Sequence, residues 1–148
     1  MGRRLIRAYL DAAPAICRVE VRQPWAERVE RAIHPAAEIT LLASELTRLE
    51  CLVLPVRTGN IRLYNKYEAF FSRMRLLPFT RAVFERATAL RATLNLKTPD
   101  ALHLACAIEH GCDEFWTNDA RLASGAPPGL VVRVFADAVD APPVPADR

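Results

Sequence analysis

Lys97-Thr-Pro-Asp-Ala-Leu-His-Leu-Ala-Cys-Ala-Ile-Glu-His-Gly-Cys-Asp-Glu-Phe-Trp-Thr-Asn-Asp-Ala-Arg-Leu122 is the stretch on which the fold turns. It reads as helix, turn, strand and loop, with a carboxylate near each end. Thr98 is a natural N-cap, and Pro99 suits the first helical position because its missing N–H would have no partner there. Asp100 then falls in the first turn, where the helix dipole favours negative charge. Ala101, Leu104, Ala105 and Ile108 give a small apolar stripe able to pack closely on a sheet. Gly111 supplies the left-handed residue that ends the helix. Glu114-Phe115-Trp116-Thr117 is a short aromatic strand, broken by Asn118-Asp119. Asp119 is therefore presented at the carboxyl end of a strand, where a parallel sheet could also bring Asp100.

Working outward, Arg4 to Leu10 has the character of a first strand ending at Asp11, although nothing in the sequence accounts for Arg7 within it. Pro14 opens a short helix, and Pro24 opens another that ends before Pro35. Glu38 to Leu42 is a second strand. Ser44 reads as an N-cap with Glu45 in the first turn of a helix through Leu46, Leu49 and Val53. Leu63, Tyr67, Phe70, Phe71 and Met74 repeat at helical spacing and are read as core. Leu76 to Phe79 is an edge strand, since Pro78 cannot donate within a central ladder. Thr80 caps a helix whose apolar face includes Val83, Phe84, Ala87 and Leu90. Leu130 to Phe135 is the last strand. Strands alternating with helices predict an α/β fold of three layers, α/β/α, around a mainly parallel sheet. We expect one domain over 1–136 and a Pro-rich C-terminal tail over 137–148, carrying Pro142, Pro143 and Pro145.

The chain has 148 residues, 51% hydrophobic and 25% charged, within the range of an ordinary globular domain. Its net charge of +3 is modest, but the distribution is uneven. From Arg57 to Lys97 there are nine Lys or Arg residues against only Glu68 and Glu85. A basic middle beside an acidic site suits a polyanionic substrate held next to a metal. Cys17, Cys51, Cys106 and Cys112 lack the spacing of a zinc site, so buried thiols are expected. Arg7 interrupts any signal-like run, and no segment approaches the roughly 20 apolar residues of a membrane span. A cytoplasmic protein with no membrane partner is expected.

Tyr9-Leu10-Asp11, Ser44-Glu45-Leu46, Thr98-Pro99-Asp100-Ala101-Leu102-His103-Leu104-Ala105 and Thr117-Asn118-Asp119-Ala120-Arg121-Leu122 together resemble, in order, the PIN domains of VapC-type toxins. These are metal-dependent ribonucleases of bacterial toxin–antitoxin pairs. The resemblance covers nearly the whole chain. It implies a PIN-like fold, endonucleolytic RNA hydrolysis, a cognate VapB-type antitoxin and a homodimer. It also implies Asp11 and Asp100 as principal metal ligands, with Asp119 a further one, direct or through water.

The residues are consistent with that chemistry. Asp11 and Asp119 follow strands, while Glu45 and Asp100 open helices. In an open parallel sheet such positions converge at the carboxyl ends of the strands, where ligands bind. Carboxylates crowded together repel, and a hard divalent cation resolves the conflict. An all-oxygen set favours Mg²⁺, with Mn²⁺ a possible substitute, over zinc. Asp11, Glu45, Asp100 and Asp119 are thus the predicted catalytic set, Glu45 binding metal or orienting the attacking water. Thr117 and Asn118 are expected to support them through hydrogen bonds. His103 is read as a packed or hydrogen-bonded histidine, and His34 and His110 as surface residues. Relatives often carry a hydroxyl residue after the first aspartate, where this chain has Ala12-Ala13, so Thr117 is a possible replacement. The alternative is a catalytically inactive PIN-like binding or assembly module. A haloacid-dehalogenase-type phosphatase would need an acid at Ala13. A receiver domain would need paired acids before its acceptor.

Overall fold

In the first strand, β1 (Ile6–Leu10), side chains alternate between two buried clusters, and this alternation sets the layers. Ala8 and Leu10 pack on one face of the sheet, whereas Tyr9 packs on the other. The computed structural model describes residues 5–33 and 38–135. The predicted tail and the surface reading of His34 lie outside the described residues.

The chain continues through α1 (Ala12–Val19), α2 (Trp25–Ile33), β2 (Ile39–Ser44), α3 (Glu45–Thr58), α4 (Ile61–Phe71) and β3 (Arg75–Leu77). It then forms α5 (Arg81–Leu94), α6 (Thr98–Glu109), β4 (Glu114–Thr117), a 3-10 segment (Ala120–Gly125) and β5 (Val131–Val134). The sheet is ordered β3-β2-β1-β4-β5, and every neighbouring pair is parallel. Residues of α1 to α4 share the cluster of Ala8, Leu10 and Trp116, and residues of α5 and α6 share that of Tyr9 and Phe115. This is the expected α/β/α arrangement.

The order has a functional consequence. β2 and β3 extend the sheet from one side of β1, then the chain returns to lay β4 on the other side. The direction of winding therefore reverses between β1 and β4, which opens a crevice at their carboxyl ends. Asp11 follows β1 and Asp119 lies just beyond β4.

Local signals explain the element ends. Ser44 and Thr47 form a reciprocal capping box at α3, Asn60 caps α4, and Thr80 caps α5. At α6 the structure differs by one residue from the sequence reading. Lys97 occupies the cap without a side-chain bond, and Thr98, Pro99 and Asp100 form the first turn. The first helix begins at Ala12, ahead of Pro14, because Asp11 caps it. Phe84 is 51% exposed rather than core. Tyr67 and Phe71 are buried as expected, and Leu63, Phe70 and Met74 pack partly buried against them. β3 is an edge strand, as expected, and β5 is the other. All four cysteines are buried and none is in a disulfide.

Arg7 has an explanation that only the fold supplies. Its Nη1 donates to the carbonyls of His110 (2.8 Å) and Gly111 (3.3 Å), at the C-terminal end of α6. There the helix leaves unsatisfied carbonyls and partial negative charge. His110 is itself half-buried, and its Nε2 lies 2.8 Å from the Pro78 carbonyl.

Candidate metal centre

Asp11 is 9% exposed and hydrogen-bonded from two directions. Its Oδ1 accepts the Ala12 N–H at 2.7 Å, capping α1, and its Oδ2 accepts the Thr117 hydroxyl at 2.8 Å. Thr117 Oγ1 in turn accepts the Asp119 N–H at 3.0 Å. One hydroxyl at the end of β4 thus fixes both the first carboxylate and the backbone of the last.

Across the crevice, His103 of α6 is 1% exposed. Its Nε2 hydrogen-bonds Glu50 Oε1 of α3 and lies 3.5 Å from Asp11 Oδ1. One ligand atom from each of Asp11, Glu50 and His103 lies within 4.8 Å of the others. Asp100 stands one turn before His103 on α6, half-buried.

The electrostatics mark these groups as one site. Burial raises the Asp11 pKa, and Glu50 adds to the rise, while His103, the Thr117 hydroxyl and the Ala12 N–H oppose it. Asp100 is raised by burial first and then by the charges of Asp11 and Asp119, with Glu50 contributing less. Burial acts to lower His103, but Asp11 and Glu50 outweigh it and the net shift is upward. Asp119 differs. Its Oδ2 accepts Arg121 Nη2 at 2.6 Å and its Oδ1 accepts Arg121 Nε at 2.9 Å, which holds its pKa below the ordinary range. Clustered carboxylates of raised pKa in a crevice are the pattern expected where a cation binds.

Of the four predicted acids, Asp100 thus senses the charges of Asp11 and Asp119. Glu45 is not part of the compact group. Its side chain is 74% exposed, and its Oε2 lies 3.8 Å from Arg48. Glu50 is the acid that α3 brings to Asp11, and the sequence reading missed it. The available signal was helical phase: with Ser44 as cap, buried Thr47 faces the sheet and Glu50 follows three residues later on the same side. Thr117 supports Asp11 directly. Asn118 points elsewhere, its Nδ2 lying 3.7 Å from Cys17 Sγ. Asn118 Oδ1 is buried with no hydrogen-bond partner among the described residues.

The donor set fits a divalent cation: the carboxylates of Asp11 and Glu50 converge, partly desolvated, with the His103 imidazole between them.

Several solved structures share this architecture. VapBC2 from Rickettsia felis, bound to a DNA fragment from its promoter, aligns with a TM-score of 0.71 at 16% identity, covering 87% of this chain and 98% of that one. DNA-bound VapBC from Salmonella typhimurium aligns at 0.70 and 18%, covering 89% and 100%. A toxin–antitoxin complex from Klebsiella pneumoniae aligns at 0.65 and 25%, covering 84% and 95%. No curated protein matches the chain significantly. The family model of the PIN domain matches residues 14–126, a span that runs from within α1 past β4 and includes Glu50, Asp100, His103 and Asp119. The chain belongs to the PIN domain family.

Proposed function

We propose that this protein is a Mg²⁺-dependent endoribonuclease, the toxin of a VapBC-type pair. The observation that carries the reading is the convergence of Asp11 and Glu50 on His103 at the crevice between β1 and β4, with Asp100 sensing the charges of all three. PIN-domain membership supports nuclease chemistry, and the toxin–antitoxin neighbours support the biological setting.

Asp11 and Asp100 would hold the cation, and Asp119 would add a ligand directly or through water. Glu50 takes the part that the sequence reading gave to Glu45, as a ligand or as the group that orients the attacking water. A Mg²⁺ or Mn²⁺ ion held there would supply charge neutralisation and Lewis-acid activation for phosphodiester hydrolysis. Thr117 keeps Asp11 oriented. Arg121, exposed and beside Asp119, can exchange its carboxylate partner for an RNA phosphate, which is bidentate in the same way. The basic residues of α4 and α5 supply further sequence-independent attraction.

The apolar side chains Leu49, Val56 and Ile61 on α3 and α4 are 57%, 65% and 73% exposed. We assign this surface to the antitoxin, whose bound helix would cover it. No helix among the described residues is long and apolar enough to cross a membrane.

The test is RNA cleavage by the purified protein in Mg²⁺, in EDTA, and after Asp100→Asn. Cleavage lost in EDTA and in the variant supports the reading. Cleavage undiminished in the variant removes the site assignment. No cleavage by the wild type under any condition favours the inactive binding module.

A further inference from the structure

The face of α6 that meets the sheet is apolar except at one position. Ala101, Leu104 and Ala105 are fully buried, and His103 lies among them at 1% exposure. A buried imidazole is costly unless its nitrogens are satisfied. Both are, and neither partner is backbone. Nδ1 pairs with the Tyr9 hydroxyl at 2.7 Å, while Nε2 faces two acids, Glu50 and Asp11.

Tyr9 is held as firmly as the histidine it holds. Its ring stacks on Phe115 with centroids 5.5 Å apart and planes 7° apart. Its hydroxyl also bonds Ser44 Oγ at 2.7 Å. Ser44 is the N-cap of α3, and Glu50 lies on that same helix. The polar chain Ser44–Tyr9–His103–Glu50 therefore starts and ends on α3, closing a loop through β1 and α6. It sets the distance and direction from which Glu50 approaches Asp11. Two carboxylates in that crevice would otherwise turn apart, because each carries the same charge.

We propose that His103 is a positioning residue, anchored by Tyr9, that holds the Glu50 carboxylate beside Asp11 so that the two meet a divalent cation as a preformed pair. The inference rests on the metal-centre reading given above. A histidine that served only to fill the core would need its two nitrogens satisfied but would have no reason to set one of them between two acids.

Mn²⁺ binding to the full chain, followed by calorimetry and by electron paramagnetic resonance, tests this. The variants are Tyr9→Phe, His103→Ala and His103→Gln, with Val83→Ala as a core truncation that removes no member of the polar chain. Removing the partner of a metal-site group typically weakens metal binding about 10–100-fold. That loss is expected in Tyr9→Phe and His103→Ala with cooperative melting retained. Partial recovery is expected in His103→Gln, whose amide can still donate to Glu50. Val83→Ala should lower the melting temperature and leave Mn²⁺ affinity unchanged. Wild-type affinity in both Tyr9→Phe and His103→Ala would overturn the proposal. So would an equal loss in Val83→Ala, or a nitrogen hyperfine coupling showing that His103 is itself a ligand. If His103→Ala does not fold, Tyr9→Phe, which lacks a single oxygen, decides the matter. A wild type that binds no Mn²⁺ overturns the metal centre and this proposal together, whereas unaffected variants overturn the proposal alone.

Discussion

Replacing Thr117 by valine removes one oxygen from a fully buried side chain and keeps its shape. Two hydrogen bonds go with it. The bond donated to Asp11 Oδ2 at 2.8 Å has a charged partner and is worth about 1.5–3 kcal/mol. The bond accepted from the Asp119 N–H at 3.0 Å is neutral and worth about 1 kcal/mol. The new methyl recovers part of this through burial, so a net loss of about 2 kcal/mol is expected. For a domain of this size that lowers the melting temperature by about 4–8 °C. The effect has a pH signature. Thr117 stabilises the ionised carboxylate, so its contribution is present above the folded pKa of Asp11 and fades as pH falls through it. Burial raises that pKa, which moves the window up from the ordinary carboxylate range. Melting of wild type and variant in EDTA should therefore differ most at pH 8 and converge under acid conditions. With Asp11 free to rotate, Mg²⁺ affinity should fall about 10–100-fold. Mg²⁺ affinity and RNA cleavage within twofold of wild type would refute the role given to Thr117.

Other perturbations separate the parts of the account. Glu50→Gln should weaken Mg²⁺ binding by at least about tenfold, whereas Glu45→Gln, exposed beside Arg48, should leave it within about threefold; paired titrations of the two variants check this. Asp100 has a raised pKa, so its favourable contribution to stability exists below the ordinary carboxylate range and is lost as pH rises through the folded value. Asp100→Asn should therefore melt at or slightly above the wild type in EDTA at pH 8. The gain should stay under about 1 kcal/mol, because half-exposure screens the repulsion, and should shrink toward pH 4. Mg²⁺ should then raise the wild-type melting temperature and leave that of the variant unmoved. Arg7→Ala should cost about 1–2 kcal/mol through its lost bonds to the end of α6, seen as a lower denaturant midpoint with unchanged Mg²⁺ affinity.

Much of the frame is legible in the sequence because its signals are local. Ser44 and Thr80 announce helix starts, Gly111 has the positive φ of 65° that its turn requires, and the apolar runs of β1, β2 and β5 mark strands. Asp11, Asp100 and Asp119 are legible for the same reason, since each sits beside an element end that can be read from its neighbours. What escapes depends on contacts between distant residues. Arg7 looks misplaced until α6, about a hundred residues on, brings its carbonyls to the guanidinium. His103 looks like core until Tyr9 and Glu50 arrive from β1 and α3. Glu45 and Glu50 differ by little more than one helical turn. Choosing between them needs the phase of α3, fixed here by the Ser44–Thr47 capping box that points Thr47 inward and Glu45 outward.

The central claim is that distant carboxylates form one cation site, and calorimetric titration of the EDTA-stripped protein with Mg²⁺ and Mn²⁺ tests it most directly. Saturable binding to the wild type is predicted, weakened at least about tenfold by Asp11→Asn and by Asp100→Asn in variants that still melt cooperatively. Binding that is absent from the wild type, or undisturbed by either substitution, would contradict it.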